Sequence, residues 1–126
     1  MSSQPYLFVY GTLKSTFRNR YARRLRREGL LVGQATMPGR LYRVGWYPGM
    51  RPPCVSGEVV TGELYRLRQP AVTFEFLDEY EENYRRELRR ATLANGRTRQ
   101  CWVYMYRFPS WESRRVAPGE WNPAAS

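Results

Sequence analysis

Side chains that could transfer protons are few in this chain, because its 126 residues include no histidine. Without an imidazole, neither a Ser–His nor a Cys–His nucleophile can be built, and histidine-rich zinc or iron sites are excluded. Lys14 is the only lysine, and Cys54 and Cys101 form a lone pair without metal-ligand spacing. Proton transfer near neutral pH is therefore left mainly to a carboxylate or a tyrosine, and we expect no metal and no other cofactor.

Glu81 is the carboxylate with the most unusual position. Residues 71–82 are predicted to form a helix that begins after Pro70, a residue suited to the first helical turn. At about 100° per residue, Glu81 falls on the apolar side defined by Phe74 and Leu77. The other acids of this segment gather on the opposite side: Glu75, Asp78, Glu79 and Glu82. A carboxyl group on an apolar face is desolvated, which raises its pKa towards the range of a general acid–base catalyst.

Two structural alternatives compete with a catalytic Glu81. The side chain can swing to solvent from a frayed helix end, or it can pair with Arg85 or Arg86, and the helical wheel alone gives these alternatives the same weight as catalysis. Glu63 is the competing carboxylate, but in the extended segment VTGEL a glutamate is more often on a solvated face or paired with arginine. Glu58 has no apolar context and is the weakest candidate of the three.

The segment FVYGTLK, residues 8–14, is the second chemical feature. Residues 8–10 have the character of a buried strand end, after which the chain turns at Gly11. A glycine at this point either simply ends a strand or allows backbone N–H groups to approach a ligand closely. The pattern of residues leaves both interpretations open.

The elements that must position these groups follow from apolar periodicity and turn signals. Helices are predicted at 18–28 and 71–82, and extended segments at 6–10, 30–35, 39–44, 55–67, 87–94 and 98–107. Residues 45–54, rich in proline and glycine, are predicted to form a loop, and Asn95-Gly96 predicts a hairpin. Because strands and helices mix without a regular βαβ alternation, the predicted fold class is α+β, with a small mixed or antiparallel β-barrel and flanking helices.

Length and composition bound the domain organisation. A chain of this length with 42% hydrophobic residues is expected to form one domain, at 1–108, followed by an irregular tail at 109–126 that is packed on it or trails from it. No apolar run approaches the ~20 residues of a membrane span, and no secretory signal pattern precedes Tyr6. We therefore expect a cytoplasmic protein with reduced cysteines and no membrane association.

The formal net charge of +10 is carried almost entirely by arginines, which cluster within residues 18–27 and 85–90. Such clusters can bind nucleic acid, or they can form a solvated face. The second interpretation is favoured, because the sequence contains no nucleic-acid-binding module signature. A nucleic-acid partner is therefore not expected.

Five short motifs follow one another along the chain: FVYGTLK at 8–14, GRLYRVGWYPGM at 39–50, VTGELYRL at 60–67, LDEYEENYRR at 77–86 and VAPGEW at 116–121. In this order and spacing they resemble the γ-glutamylcyclotransferase-like family, which includes γ-glutamylamine cyclotransferases and plant proteins of the avirulence-induced type. Each motif is short, but together they span nearly the whole chain.

The resemblance implies the γ-glutamyl cyclotransferase fold, a small barrel with flanking helices around a cavity, and a small-molecule γ-glutamyl substrate. It implies that Glu81 is the acid–base residue for attack of the substrate's α-amino group on its own γ-carbonyl, which releases 5-oxoproline and a free amine or amino acid. Gly11, Thr12 and Leu13 would offer N–H groups to the substrate carboxylate or the developing oxyanion, and Tyr10 would shape the wall.

The resemblance is incomplete beside Glu81. Family members often have a glycine after this glutamate and a longer insert before the tyrosine, whereas Glu82 and Asn83 lead straight to Tyr84 here. The leaving amine is therefore left open, whether the substrate is a peptide, an amine or an acylated antibiotic, and so is the oligomeric state. The alternative function is a protein that keeps the cavity without the chemistry, or one whose basic surface binds nucleic acid or an acidic partner.

Overall fold

The computed structural model of the chain describes residues 4–109, 111, 114–116 and 119–121. In chain order, its elements are β1 (Tyr6–Val9), α1 (Arg20–Glu28), β2 (Gly29–Pro38), β3 (Arg40–Val44), β4 (Tyr47–Arg51), β5 (Val59–Leu67), α2 (Pro70–Tyr80), β6 (Tyr84–Leu93), β7 (Thr98–Tyr106) and β8 (Arg115–Val116). Neither helix is long and apolar enough to cross a membrane, among the residues described.

Five strands close into a barrel in the order β1-β5-β2-β6-β7, and parallel pairing of β7 with β1 completes the circle. The other pairings within the barrel are antiparallel. Strands β4, β3 and β8 extend the sheet from β7, with Met50 of β4 opposite Met105 in a parallel bridge. The α+β class and the small mixed barrel predicted from the sequence are confirmed.

Alternation of side chains along β1 divides the core into two clusters. Phe8 belongs to one cluster with buried residues of several barrel strands, such as Val60 and Val103. Leu7 belongs to the other, which also contains Leu25 of α1 and Leu77 of α2. Because β1 is buried on both faces, the point at which the chain leaves it for Gly11 is held firmly.

Several element boundaries differ from the predicted ones. The expected loop at 45–54 contains strand β4, which pairs with β3 and buries Met50 completely. Helix α1 begins at Arg20 rather than at residue 18, because Asn19 caps it by accepting a hydrogen bond from the N–H of Ala22 (2.8 Å). Helix α2 ends at Tyr80, so Glu81 is its C-cap residue rather than part of its last turn.

Part of the predicted tail at 109–126 packs on the domain. Residues 115–116 pair with β3, and the N–H of Thr61 in β5 donates to the carbonyl oxygen of Gly119 (2.9 Å). Trp121 is only 3% exposed and joins the Phe8 cluster. Gly119 has a φ of +97°, and a Cβ built on it would lie 2.3 Å from the carbonyl oxygen of Val59, so this docking requires glycine.

Candidate active site

A cavity of about 180 Å³ opens where the end of β1, the β3–β4 hairpin and the end of α2 meet. Its lining contains all five residues that the sequence predicted for the site: Tyr10, Gly11, Thr12, Leu13 and Glu81. The chain therefore brings together a carboxylate and a glycine turn that lie about 70 positions apart in the sequence.

The backbone of Glu81 is fixed between α2 and β6. Its N–H donates to the carbonyl oxygen of Leu77 (2.9 Å), and its own carbonyl oxygen accepts from the N–H of Tyr84 (2.9 Å). Its carboxyl group makes no hydrogen bond or ion pair with any residue that the structure describes. Burial raises the pKa of Glu81 to about 7, so both protonation states are populated near neutral pH.

The arginines that follow Glu81 do not neutralise it. Arg86 binds Asp78 instead, with Nε 3.1 Å from Oδ1 and a second bond of 3.2 Å to Oδ2. Its guanidinium also packs over the rings of Phe74 and Trp102. Arg85 is exposed. Within the described residues, pairing of Glu81 with Arg85 or Arg86 is therefore the wrong alternative.

The turn at Gly11 faces the cavity from the other side. The N–H of Lys14 donates to the carbonyl oxygen of Gly11 (3.1 Å), which closes a four-residue turn. None of the N–H groups of residues 11–13 donates a hydrogen bond to an acceptor in the described part of the chain. The turn is thus more than a strand end tied into the sheet, and the residues with these three unpaired N–H groups line the cavity.

Two side chains from outside the turn, those of Asn19 and Tyr80, bind it. The side-chain amide of Asn19 donates to the carbonyl oxygen of Thr12 (2.7 Å). The hydroxyl groups of Thr12 and Tyr80 are hydrogen bonded at 3.0 Å, which links the turn to the end of α2 beside Glu81. Tyr80 in turn stacks on Tyr21 of α1, with ring centroids 3.9 Å apart.

Tyr10 lines the cavity, while its hydroxyl group forms hydrogen bonds with the backbones of β7 and β4. The hydroxyl donates to the carbonyl oxygen of Tyr104 (2.5 Å) and accepts from the N–H of Met50 (3.1 Å). Burial raises the pKa of Tyr10 well above its ordinary value. These observations suit a residue that shapes the wall and do not suit one that exchanges protons.

The competing carboxylates have structural partners. Glu63 accepts hydrogen bonds from the N–H (2.6 Å) and the hydroxyl group (2.7 Å) of Ser15. Glu58 accepts from the N–H groups of Cys54 and Val55 and forms ion pairs with Arg40 and Arg115. Neither lines the cavity.

The ionisable side chains among the described lining residues of the cavity are two carboxylates and several tyrosines. Two carboxylates, Glu81 and Glu82, line it without an arginine or lysine among the described lining residues. No group of three or more cysteine or carboxylate side chains in the described ranges could hold a metal ion. The described arginines of α1 lie elsewhere: Arg24 pairs with Glu28, Arg26 donates to the carbonyl oxygens of Ser15 and Phe17, and Arg20, Arg23 and Arg27 are exposed.

The lining residues that were not predicted for the site from the sequence include four tyrosines and a proline. Tyr47 and Pro48 come from β4, Tyr84 and Tyr104 from neighbouring barrel strands, and Tyr80 from α2. The motifs GWYPGM and LDEYEENYRR contain four of these five residues, so the order of motifs was the signal that could have found them. Tyr104 lies in none of the five motifs.

Comparisons with known proteins agree with this architecture. A family model described as gamma-glutamyl cyclotransferase, AIG2-like, matches residues 7–123. Among solved structures, YkqA from Bacillus subtilis is 22% identical with a TM-score of 0.75; the match covers 94% of this chain, which spans only 40% of that protein. An AIG2-like protein from Mus musculus is 24% identical over 97% of both chains, with a TM-score of 0.66. A protein described as gamma-glutamyl cyclotransferase is 16% identical, with a TM-score of 0.61 over 86% of this chain and 70% of its own. A search of curated protein sequences returned no significant match.

Proposed function

Because the chain belongs to the gamma-glutamyl cyclotransferase, AIG2-like family, we propose that it is a γ-glutamyl cyclotransferase that forms 5-oxoproline from a γ-glutamyl compound. One observation carries the proposal. Glu81, whose unpaired carboxyl group has a pKa of about 7, lines the same cavity as residues 11–13, whose N–H groups are unpaired within the described part of the chain.

The reaction needs one proton-transfer group and one set of oxyanion donors. The α-nitrogen of the substrate attacks its own γ-carbon, so a nitrogen–carbon bond forms and the bond from the γ-carbon to the leaving nitrogen breaks. Glu81 accepts the proton that the α-nitrogen loses and then donates it to the leaving amine. A group with a pKa near 7 can do both in one cycle.

The turn supplies the second part. Backbone N–H groups that are not used by the fold can bind the α-carboxylate of the substrate or the oxygen that becomes negative in the transition state. Because the attack is intramolecular, most of the remaining work is to hold the γ-glutamyl chain in its folded conformation. The ring of Tyr10 and the buried Pro48 form walls that limit this conformation.

The charges of the cavity favour a γ-glutamyl amine over a γ-glutamyl peptide. Glu81 and Glu82 would repel a carboxylate on the leaving group, and no described cationic side chain lines the cavity to offset that repulsion. Tyr47, Tyr80 and Tyr84 instead offer aromatic faces, which suit an apolar or cationic amine.

The test is release of 5-oxoproline from a panel that contains a γ-glutamyl alkylamine, a γ-glutamyl amino acid and glutathione. We expect turnover by the wild-type protein, fastest with the alkylamine, and a loss of ~10²–10⁴-fold in Glu81→Gln. Glu82→Gln is the matched control, because it removes the neighbouring carboxylate of the same cavity, and it should keep most of the activity. Binding of these compounds without release of 5-oxoproline would support the non-catalytic alternative, and full activity of Glu81→Gln would reject the mechanism.

A further inference from the structure

We propose that Lys14 is a positioning residue that couples the C-terminal segment 119–121 to the substrate-binding turn at residues 11–14. The inference rests on the proposed function for its catalytic consequence, whereas the coupling itself can be tested without activity.

Lys14 is the only lysine of the chain, and it is buried, with 9% of its surface exposed. Its ammonium group donates to the carbonyl oxygen of Trp121 at 2.5 Å, and its backbone N–H donates to the carbonyl oxygen of Gly11. One residue therefore closes the turn with its backbone and contacts the C-terminal segment with its side chain.

The surroundings of Lys14 fix both of the parts that it joins. On one side, Glu63 of β5 binds the N–H and hydroxyl groups of Ser15, the next residue along the turn. On the other side, β5 binds the C-terminal segment through the hydrogen bond from Thr61 to Gly119 and the adjacent bridge to Glu120. Burial lowers the pKa of Lys14, and the carboxylates of Glu120 and Glu63 oppose that shift.

The consequence for the site follows from its geometry. Lys14 is absent from the cavity lining, so it contacts no substrate there, but it is adjacent to Leu13, which does line the cavity. A buried ammonium group must keep its partners, and a displacement of about 1 Å at a binding group can cost large factors in activity. Loss of the ammonium group should therefore release the turn and weaken its binding of the substrate carboxylate or of the developing oxyanion, while Glu81 stays in place.

The experiment compares Lys14→Met with Arg27→Met, which removes an equal charge from an exposed position on α1. We expect Lys14→Met to lower kcat/KM about tenfold or more, because the displaced turn is proposed to bind the substrate carboxylate or the developing oxyanion, and the pH at which kcat/KM falls to stay the same. Arg27→Met should match wild type, and Lys14→Arg, which keeps the charge on a longer side chain, should have an intermediate kcat/KM. An unchanged kcat/KM in folded Lys14→Met, or a shift in the pH at which it falls, would overturn the proposal.

A second measurement separates this proposal from the proposed function. Amide hydrogen exchange at Ser15 and Phe17, whose N–H groups bind Glu63 and the carbonyl oxygen of Lys14, should be more than about tenfold faster in Lys14→Met, with the amides of α2 unchanged. Unchanged exchange would overturn the coupling even if the wild-type protein released no 5-oxoproline. If Lys14→Met does not fold, Lys14→Gln, which also removes the charge, replaces it in both the kinetic and the hydrogen-exchange measurements.

Discussion

Gly11 packs so closely against the ring of Pro48 that a Cβ built on the glycine would lie 2.6 Å from Cγ of the proline. Pro48 is buried, and its carbonyl oxygen accepts a hydrogen bond from the hydroxyl group of Tyr84 (2.7 Å). The contact therefore joins the turn after β1 to both β4 and β6. Position 11 needs glycine because of this close approach, since its φ is not positive.

Gly11→Ala should therefore weaken both the fold and the site. Overpacking of this kind typically costs ~1–3 kcal/mol in the free energy of unfolding, and displacement of the turn should raise KM. Urea denaturation and steady-state kinetics measure the two effects. Addition of Pro48→Ala removes the atom that clashes, so the double variant should recover part of both losses. If Gly11→Ala behaves like wild type, the close packing is not a constraint on the site.

Tyr10→Phe should lower stability while it leaves the cavity wall intact. The substitution removes the hydroxyl group that binds Tyr104 and Met50 and leaves the N–H of Met50 without its partner, which costs ~1–3 kcal/mol in the free energy of unfolding. KM should change less than about threefold, because the ring remains.

Tyr65→Phe is the matched control for Tyr10→Phe. The Tyr65 hydroxyl group is buried and has no hydrogen-bond partner among the described residues. Its removal should be neutral or stabilising. Equal destabilisation by the two variants, measured by urea denaturation, would contradict this account of the Tyr10 hydrogen bonds.

The helical wheel put Glu81 on the correct side of α2, although it assumed a helix that continues to residue 82. Helix α2 ends two residues before the predicted end, at Tyr80, but the N–H of Glu81 still donates to Leu77 as in a helix, and Glu81 lines the cavity. The solvated acidic face is confirmed, since Glu75, Asp78 and Glu79 are exposed. Local periodicity was sufficient here because the same face that buries Phe74 and Leu77 continues into the site.

Local sequence could not predict β4 or the aromatic rim. Proline and glycine in residues 48–49 are typical of a loop, yet pairing with β3 and burial of Met50 make this segment a strand. Tyr47, Tyr84 and Tyr104 come from three separate strands. Tyr84 and Tyr104 are brought close by the pairing of β6 with β7, and Tyr47 joins them through the parallel pairing of β4 with β7. The β4–β7 pairing joins segments more than 50 residues apart, a long-range property that a local pattern does not contain.

The activity should depend on pH through Glu81. As the base for the first proton transfer, Glu81 must be ionised, and burial raises its pKa to about 7. We expect kcat/KM to fall about tenfold per pH unit below pH 7. The profile of Glu82→Gln should show the same limb, because only Glu81 is proposed to transfer the proton. A limb near pH 4.5, the ordinary value for glutamate, would show that Glu81 is not desolvated in the free enzyme.

Burial of Glu81 should also make the stability of the fold depend on pH. Below pH 4.5 the carboxyl group is protonated in both the folded and the unfolded chain, so its ionisation contributes nothing. Between pH 4.5 and about 7, the folded chain keeps a proton that the unfolded chain releases, so stability falls as the pH rises. Above pH 7 the cost is complete, and the raised pKa corresponds to roughly 3 kcal/mol.

Glu81→Gln should therefore be more stable than wild type at alkaline pH, although it is inactive. Glutamine carries no charge at any pH, so it avoids the cost of ionising a buried group. The free energy of unfolding of Glu81→Gln minus that of wild type should grow by about 2 kcal/mol between pH 5 and pH 8, as measured by urea denaturation. Glu82→Gln is the matched control, because it changes an exposed carboxyl group next to Glu81. A constant difference between Glu81→Gln and wild type across this range would show that the carboxyl group of Glu81 ionises as freely in the folded protein as in the unfolded chain, and that it lacks the desolvation on which the proposed mechanism depends.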